Sequence, residues 1–186
     1  MSKKEDNKGT IFKITLNLTV ACFACSLIIA LVYFVTAPVA AKNAEILKNE
    51  SMKALIKEAN DFKTIKGKSE FYEALKDNKT MGYVTQSETK GYGGTIKLLV
   101  AVDTKGQVIG YNVLSHNETP GLGDKTTKSP FKDQFKGKNI DHLVVTKDPS
   151  DKDDVQAITG ATISSRAVTK GIHEAVQQVN EYIGGK

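Results

Sequence analysis

The chain has 186 residues, and its 26 basic and 21 acidic side chains give a formal net charge of +5. This length fits one domain, or one domain with an appended segment. The basic residues are lysines dispersed along the chain and a single arginine, Arg166. Because they form no basic cluster, the composition does not favour nucleic-acid binding.

Residues 14–41 contain no charged side chain. As a helix rising about 1.5 Å per residue, this stretch exceeds the ~30 Å hydrocarbon core of a bilayer. We therefore predict a transmembrane anchor over 14–41, whose helix ends at Pro38, and a cytoplasmic N-terminus over 1–13. A signal peptide cleaved after Ala41 is the alternative, but the apolar run is longer than a signal h-region. Lysines flank the segment on both sides, so charge bias favours this orientation only weakly.

Both cysteines, Cys22 and Cys25, lie inside the predicted anchor. Residues i and i+3 share one helix face, so the pair suits helix packing, whereas a ligand role needs partners from another chain. The remainder of the chain has no cysteine and therefore no disulfide framework.

After the anchor we predict a helical connector over 42–69, because residues 44–59 place Ile46, Leu47, Leu55 and Ile56 on one helix face. Two short strands follow at 70–75 and 81–87. They lead to a glycine-rich turn around Tyr92. Such a turn either brings the backbone close to a ligand or simply ends a strand, and Tyr92 is a candidate to stack on a planar ligand.

The clearest hairpin joins residues 95–103 to residues 108–116 through the turn "TKGQ". The loop "NETPGLGDK" follows, in which Pro120 fixes one backbone dihedral and Gly121 and Gly123 permit conformations that a side chain forbids. It is either an ordinary Pro-Gly turn or a loop shaped for a ligand.

The last third predicts a short helix over 129–140 with Phe131 and Phe135 one turn apart and Gly137 at its end, then a strand over 142–146. A final amphipathic helix begins at Ser164 or Ser165 as N-cap. The order of elements predicts an α+β fold, with an antiparallel sheet and flanking helices in a domain over 70–186.

The stretch "AITGATISS", residues 157–165, concentrates hydroxyl side chains at the start of this helix. A helix N-terminus offers unpaired N–H groups and a positive dipole end, which suit a phosphate. No lysine follows as a P-loop requires. Helix capping without any ligand explains the same residues, and the pattern alone leaves both interpretations open.

Two motifs resemble a known family. "AITGATISS" is similar to the signature of proteins that carry FMN covalently through a phosphoester to the last threonine, and "SHNETPGLGDK" is similar to the second signature of the same FMN-binding domain. Together with the anchor, they make the chain resemble the G subunits of Rnf ion-translocating oxidoreductase complexes. The C subunits of sodium-pumping NADH:quinone reductases are the near alternative.

The resemblance implies a membrane-anchored, single-pass flavoprotein subunit in the cell membrane, with its C-terminal domain on the extracytoplasmic side. It would relay electrons in an ion-pumping ferredoxin:NAD oxidoreductase complex without being catalytic alone. The implied partners are the other Rnf subunits, a flavin transferase and membrane lipid.

Carried over to this chain, the resemblance places the flavin phosphoester on Thr162. Gln156 stands where the signature commonly has an acidic residue. The histidines are scattered, so we predict no metal site. The other cofactor-binding candidates belong to the same turn or to the upstream loop: Thr159, Gly160, Ala161, Ser164 and Ser165, and Glu118, Thr119, Gly121, Leu122 and Gly123.

Two further hypotheses remain. One is a non-redox anchored binding module whose TGAT turn is only a helix cap. The other is a free-standing extracytoplasmic flavoprotein that feeds a different reductase.

Overall fold

The computed structural model describes residues 3–65, 67–68 and 70–185. The remaining positions of the predicted N-terminus, connector and domain lie outside the described residues. The chain divides into two compact units, Met1–Glu45 and Ile46–Lys186. The first is helical throughout its described residues, and the second contains the sheet and the candidate site.

Helix α1 runs from Lys3 to Leu55. Its segment Gly9–Leu55 is long and apolar enough to cross a membrane, and the most apolar part of this segment is not buried by the rest of the chain. The prediction that Pro38 ends the helix is wrong, because Pro38 lies inside it. Alanines on both sides of Pro38 favour helix, so the single hydrogen bond that proline removes does not stop the helix.

The sheet is a five-stranded antiparallel meander in the order β1-β2-β3-β4-β5. It confirms the predicted strands and the hairpin. It also adds a short edge strand within the predicted connector, which is therefore helical only as far as Leu55. The strands are β1 (Asp61–Thr64), β2 (Phe71–Lys76), β3 (Lys79–Lys90), β4 (Thr95–Asp103) and β5 (Val108–Ser115).

Helix α2 (Thr162–Gly184) covers one face of this sheet. Its apolar residues recur at helical spacing, so Val168, Ile172 and Val176 are fully buried against the sheet. Alternate residues of β4, such as Leu98 and Val100, supply the opposing surface. This helix–sheet core fixes the position at which α2 begins.

The other face of the sheet is covered by the last turns of α1. Met52 and Ile56 are buried against Val84, Leu99 and other small apolar residues of the sheet. The predicted apolar helix face is therefore only partly correct, because Ile46 and Leu47, nearer the start of this unit, are exposed.

Three short 3-10 segments, Gly123–Thr127, Lys132–Phe135 and Ile140–His142, follow β5. The predicted Phe131–Phe135 helix is thus shorter and tighter than an α-helix, and Phe135 is fully buried. The predicted strand at 142–146 shrinks to β6 (Val145–Thr146), which pairs with β7 (Val155–Gln156). That pair is parallel, so the α+β fold is confirmed but not every strand pair is antiparallel.

Candidate functional site

A cavity of about 520 Å³ opens where α2 begins. Three segments that are distant in sequence line it: the glycine-rich turn after β3, the loop after β5, and the turn that leads into α2. The lining residues are Tyr92, Glu118, Thr119, Leu122, Gly123, Gly160, Ala161, Thr162, Ile163 and Ser164. Its volume is in the usual range for small-molecule sites.

Helix α2 begins at Thr162 with Ala161 as its N-cap residue, so the prediction of Ser164 or Ser165 as N-cap is wrong. A tight turn, in which the Ala161 N–H donates to the Ile158 carbonyl at 2.9 Å, brings the chain into the helix earlier. Gly160 makes this turn possible with a φ of 80°, in the left-handed region. Ala161 precedes the helix and provides no side-chain cap.

Thr162 is therefore the first residue of a 23-residue helix and lines the cavity. The N–H groups of the first helical turn have no intrahelical carbonyl partner, and the helix dipole is positive at this end. The start of α2 at the cavity is therefore an arrangement that favours an anion.

The two serines after Thr162 are buried and have different partners. The Ser165 hydroxyl accepts from the Ile158 N–H and donates to the Ala161 carbonyl, each at 3.0 Å, and so stabilises the turn from inside. The Ser164 hydroxyl donates to Oε2 of Glu118. Ser164 lines the cavity, whereas Ser165 is not among its lining residues.

Glu118 is the buried polar group of the upstream loop, with 5% of its surface exposed. Its Oε1 accepts from the Gly93 N–H at 2.9 Å. A Cβ on Gly93 would lie 1.9 Å from the Asn117 carbonyl oxygen, and one on Gly91 would lie 2.3 Å from Glu118 Oε1. The glycines therefore allow the backbone of this turn to lie close to the backbone of the loop after β5.

The rest of the loop divides between two cavities. Thr119, Leu122 and Gly123 line the first cavity. Gly121 lines a second cavity of about 610 Å³. Thr159 is not among the residues that line the first cavity. Of the predicted cofactor-binding residues, the structure thus places all but Thr159, Gly121 and Ser165 around one space.

Three large apolar side chains are exposed at the first cavity: Tyr92 at 72%, Ile163 at 56% and Leu122 at 43%. Single exposed apolar side chains are common, but apolar side chains grouped at one cavity are typical of a binding surface. Sequence reasoning missed Ile163. Its signal was an apolar residue at the second position of α2, on the polar side of an otherwise amphipathic helix.

The second cavity combines apolar side chains such as Phe131 and Ile158 with the loop residues Asp124, Lys125 and Lys128. The Lys128 ammonium lies 2.8 Å from Asp124 Oδ2, and this hydrogen bond lowers the pKa of Asp124. None of the residues that line this cavity begins an α-helix; the helix that starts beside it, Lys132–Phe135, is a four-residue 3-10 segment.

Gln156, which stands where the family signature is commonly acidic, also lines the second cavity. Its side-chain amide donates to the carbonyls of Asp148 and Asp151, both at 2.7 Å. Its backbone N–H donates to the Gln134 side chain at 2.8 Å. A carboxylate could not donate these two side-chain hydrogen bonds, which explains structurally why this chain has glutamine at position 156.

The three histidines lie apart. The Nδ1 of His116 accepts from the Glu118 N–H at 3.1 Å, and His142 lies 3.5 Å from Asp154. His173 lines a separate shallow groove with Arg166 and Lys170. Within residues 3–65, 67–68 and 70–185, no group of three or more metal-ligating side chains converges.

Comparison with known proteins gives a consistent result. An FMN-binding domain model matches residues 91–177, which include all three segments around the first cavity. The G subunit of the proton-translocating ferredoxin:NAD(+) oxidoreductase complex of Clostridium ljungdahlii is 50% identical over 98% of this chain and 99% of its own length. The G subunit of the ion-translocating oxidoreductase complex of Methanosarcina acetivorans is 32% identical over 94% of this chain and 97% of its own.

Two solved structures share the fold. NqrC of Shewanella oneidensis has a TM-score of 0.52 at 22% identity, with 70% of this chain and 73% of that chain covered. The C subunit of the Na(+)-translocating NADH-quinone reductase of Parabacteroides distasonis has a TM-score of 0.51 at 25% identity, with 61% of each chain covered. Both structures contain a domain with the fold of this chain. The two G subunits, in contrast, match this chain over nearly their full length.

Proposed function

Because this chain belongs to the G-subunit family of ion-translocating, Rnf-type oxidoreductase complexes, we propose that it carries FMN as a phosphoester on Thr162 and relays electrons within such a complex. The observation that carries the proposal is the position of Thr162. It is the first residue of α2, and it lines the cavity that the predicted loop and the exposed apolar side chains also line.

The residues around the cavity fit both the phosphate and the ring system of FMN. The first turn of α2, with no side-chain cap, offers N–H donors to the phosphate. Tyr92, Leu122 and Ile163 offer apolar surface to the ring system. When bound, FMN supplies one- and two-electron redox chemistry, and the protein determines its position and surroundings.

A covalent bond suits a domain that is exported from the cytoplasm, because cofactor lost there could not be replaced from cytoplasmic FMN. The Thr162 side chain is an attachment point in this proposal, not a catalytic group. Attachment requires a flavin transferase, and the relay requires the other subunits of the complex as partners.

The non-redox binding module receives less support from this geometry. That hypothesis uses the hydroxyls of the turn as helix caps, but α2 has no side-chain cap, and Ser164 and Ser165 lie inside the helix with other partners. The alternative of a component like the C subunits of the quinone reductases is supported by fold likeness alone, at 22% and 25% identity.

The mass of the intact chain tests the attachment. The full chain is produced with a flavin transferase as wild type, Thr162→Ala and Thr104→Ala, the last being an exposed threonine in the β4–β5 turn. We expect wild type and Thr104→Ala to gain the mass of FMN less one water, and Thr162→Ala to gain none. An adduct that persists in Thr162→Ala would disprove attachment at this residue.

The proposed topology places residues 1–13 in the cytoplasm, the anchor at 14–41, and the connector and domain, 42–69 and 70–186, outside. It is supported by the apolar span of α1. In a variant lacking Cys22 and Cys25, we expect a membrane-impermeant maleimide to label Lys152→Cys in intact cells but Lys13→Cys only after lysis. The reverse pattern would invert the topology.

A further inference from the structure

We propose that Glu118 is the positioning residue of this site: it connects the three segments around the cavity and holds them in shape before any flavin is attached. The inference rests on the proposed function for its purpose, but its geometry stands in the flavin-free chain. Nothing in the proposed attachment requires a contact between Glu118 and the flavin.

The two carboxyl oxygens of Glu118 have donors on different segments. Oε1 accepts from the backbone N–H of Gly93, which is 25 residues earlier in the chain, and Oε2 accepts from the hydroxyl of Ser164, which is 46 residues later. Glu118 itself belongs to the third segment. One buried side chain therefore links the turn that carries Tyr92, the loop that carries Leu122 and the helix that begins at Thr162.

Two glycines leave no space for a side chain beside the carboxyl group of Glu118. A Cβ on Gly123 would lie 2.6 Å from Glu118 Oε2 and 2.7 Å from the Ser164 hydroxyl oxygen. A Cβ on Gly91 would lie 2.3 Å from Oε1. Two glycines thus pack directly against the carboxyl group, which explains why glycine occupies both positions.

The burial of Glu118 contrasts with its neighbours. Asn117, Thr119 and Leu122 are exposed, while Glu118 is 5% exposed and Ser164 is 3% exposed. A buried carboxyl group is tolerated only when hydrogen bonds satisfy it, and removal of one partner leaves the other unsatisfied. The three segments are consequently coupled, because a change at Ser164 alters the support of Gly93 through Glu118.

Amide hydrogen exchange of the flavin-free full chain in detergent tests this coupling. Ser164→Ala removes only a hydroxyl, and Glu118→Gln keeps the volume but replaces one acceptor by a donor. We expect both variants to speed exchange at the Gly93 amide by about tenfold, the usual effect of losing one buried hydrogen bond. The result for Ser164→Ala is decisive, because the Ser164 hydroxyl donates to Glu118 and not to the Gly93 backbone.

Thr85→Val is the matched control. It removes the hydroxyl that donates to Gln178 at 2.7 Å, which is another polar link between the sheet and α2 but far along the helix from Thr162. We expect it to leave the exchange of Gly93 unchanged. An unchanged Gly93 amide in Ser164→Ala would overturn the proposal, because each hydrogen bond would then act locally.

A second measurement connects the coupling to the site. In the presence of a flavin transferase, we expect Ser164→Ala and Glu118→Gln each to slow FMN attachment by about tenfold, and the double variant to be no slower than the slower single variant. Multiplicative losses would show that the two residues act independently and would contradict the proposal. Absence of attachment in the wild type would instead reject the proposed function, while the exchange result would still decide the role of Glu118.

Discussion

Two cavities of similar size share one loop, and they differ in how they are built. The first, of about 520 Å³, is lined by the start of α2 and by backbone segments that glycines bring into close contact. The second, of about 610 Å³, is lined by Pro130, Phe131 and exposed lysines. The larger space is thus not the better candidate, because only the first combines anion-binding N–H donors with exposed apolar surface.

We therefore expect the first cavity to be rigid and the second cavity to accept substitutions more easily. Changes at the first cavity should therefore lower both stability and flavin attachment. Changes at the second should affect stability alone, and by smaller amounts.

Gly93→Ala should have the largest effect. Its Cβ would lie 1.9 Å from the backbone carbonyl oxygen of Asn117, so the two loops must separate. We expect a loss of about 3 kcal/mol or more in the free energy of unfolding, measured by denaturant titration, together with little attached FMN. Tyr92→Ala is the neighbouring control. Because Tyr92 is 72% exposed, it should cost little stability, and a loss equal to that of Gly93→Ala would contradict the close-approach explanation.

The two glycines of the shared loop provide the sharpest comparison. At Gly123 a Cβ meets Glu118 and Ser164, so Gly123→Ala should cost about 2–3 kcal/mol and slow FMN attachment. At Gly121 nothing lies within 4 Å, and only its φ of 77° opposes a side chain, so Gly121→Ala should cost about 1 kcal/mol. Denaturant unfolding and the extent of FMN attachment measure both. Equal effects would show that the two cavities do not differ in rigidity.

Gln156→Asp should cost about 1–3 kcal/mol, because it loses two donated hydrogen bonds and places a carboxylate against the carbonyls of Asp148 and Asp151. Gln156→Ala loses the same bonds without adding charge and should be less destabilising. Thermal unfolding of the two variants separates these contributions. An aspartate variant as stable as wild type would mean that the acidic residue common in the family signature is compatible with this loop.

The smallest effect concerns pH at the second cavity. The hydrogen bond from Lys128 lowers the pKa of Asp124, so the pair stabilises the fold above about pH 4, the ordinary range of an aspartate, and this contribution is lost as the pH falls through the lowered pKa. We expect Lys128→Met to reduce slightly the loss of stability on acidification below about pH 4. Lys125→Met, in the same loop, is the charge-matched control, and an equal response from both would exclude a specific pair.

Much of the architecture could be predicted from local patterns. Two β-rich runs joined by the turn residues Asp103 and Gly106 give the β4–β5 hairpin, and period-3.6 spacing gives α2, because turn preference and helix period follow from local backbone geometry. The effect of Pro38 and the start of α2 were predicted wrongly. Helix propensity describes the preference of a single residue. At Pro38 the flanking helical residues outweighed that preference, and at the start of α2 the tight turn at Gly160 did so.

Local sequence patterns were enough to predict an apolar segment before an α+β domain, and the resemblance of the TGAT turn and the PGLG loop to known motifs was enough to predict an FMN-binding family. The meeting of Gly93, Glu118 and Ser164 becomes visible only in the folded chain. Such a meeting depends on sheet register, loop path and the docking of α2, and no local pattern encodes the distance between residues 46 positions apart. The chemistry of the site is therefore readable in short motifs, while its shape depends on long-range packing.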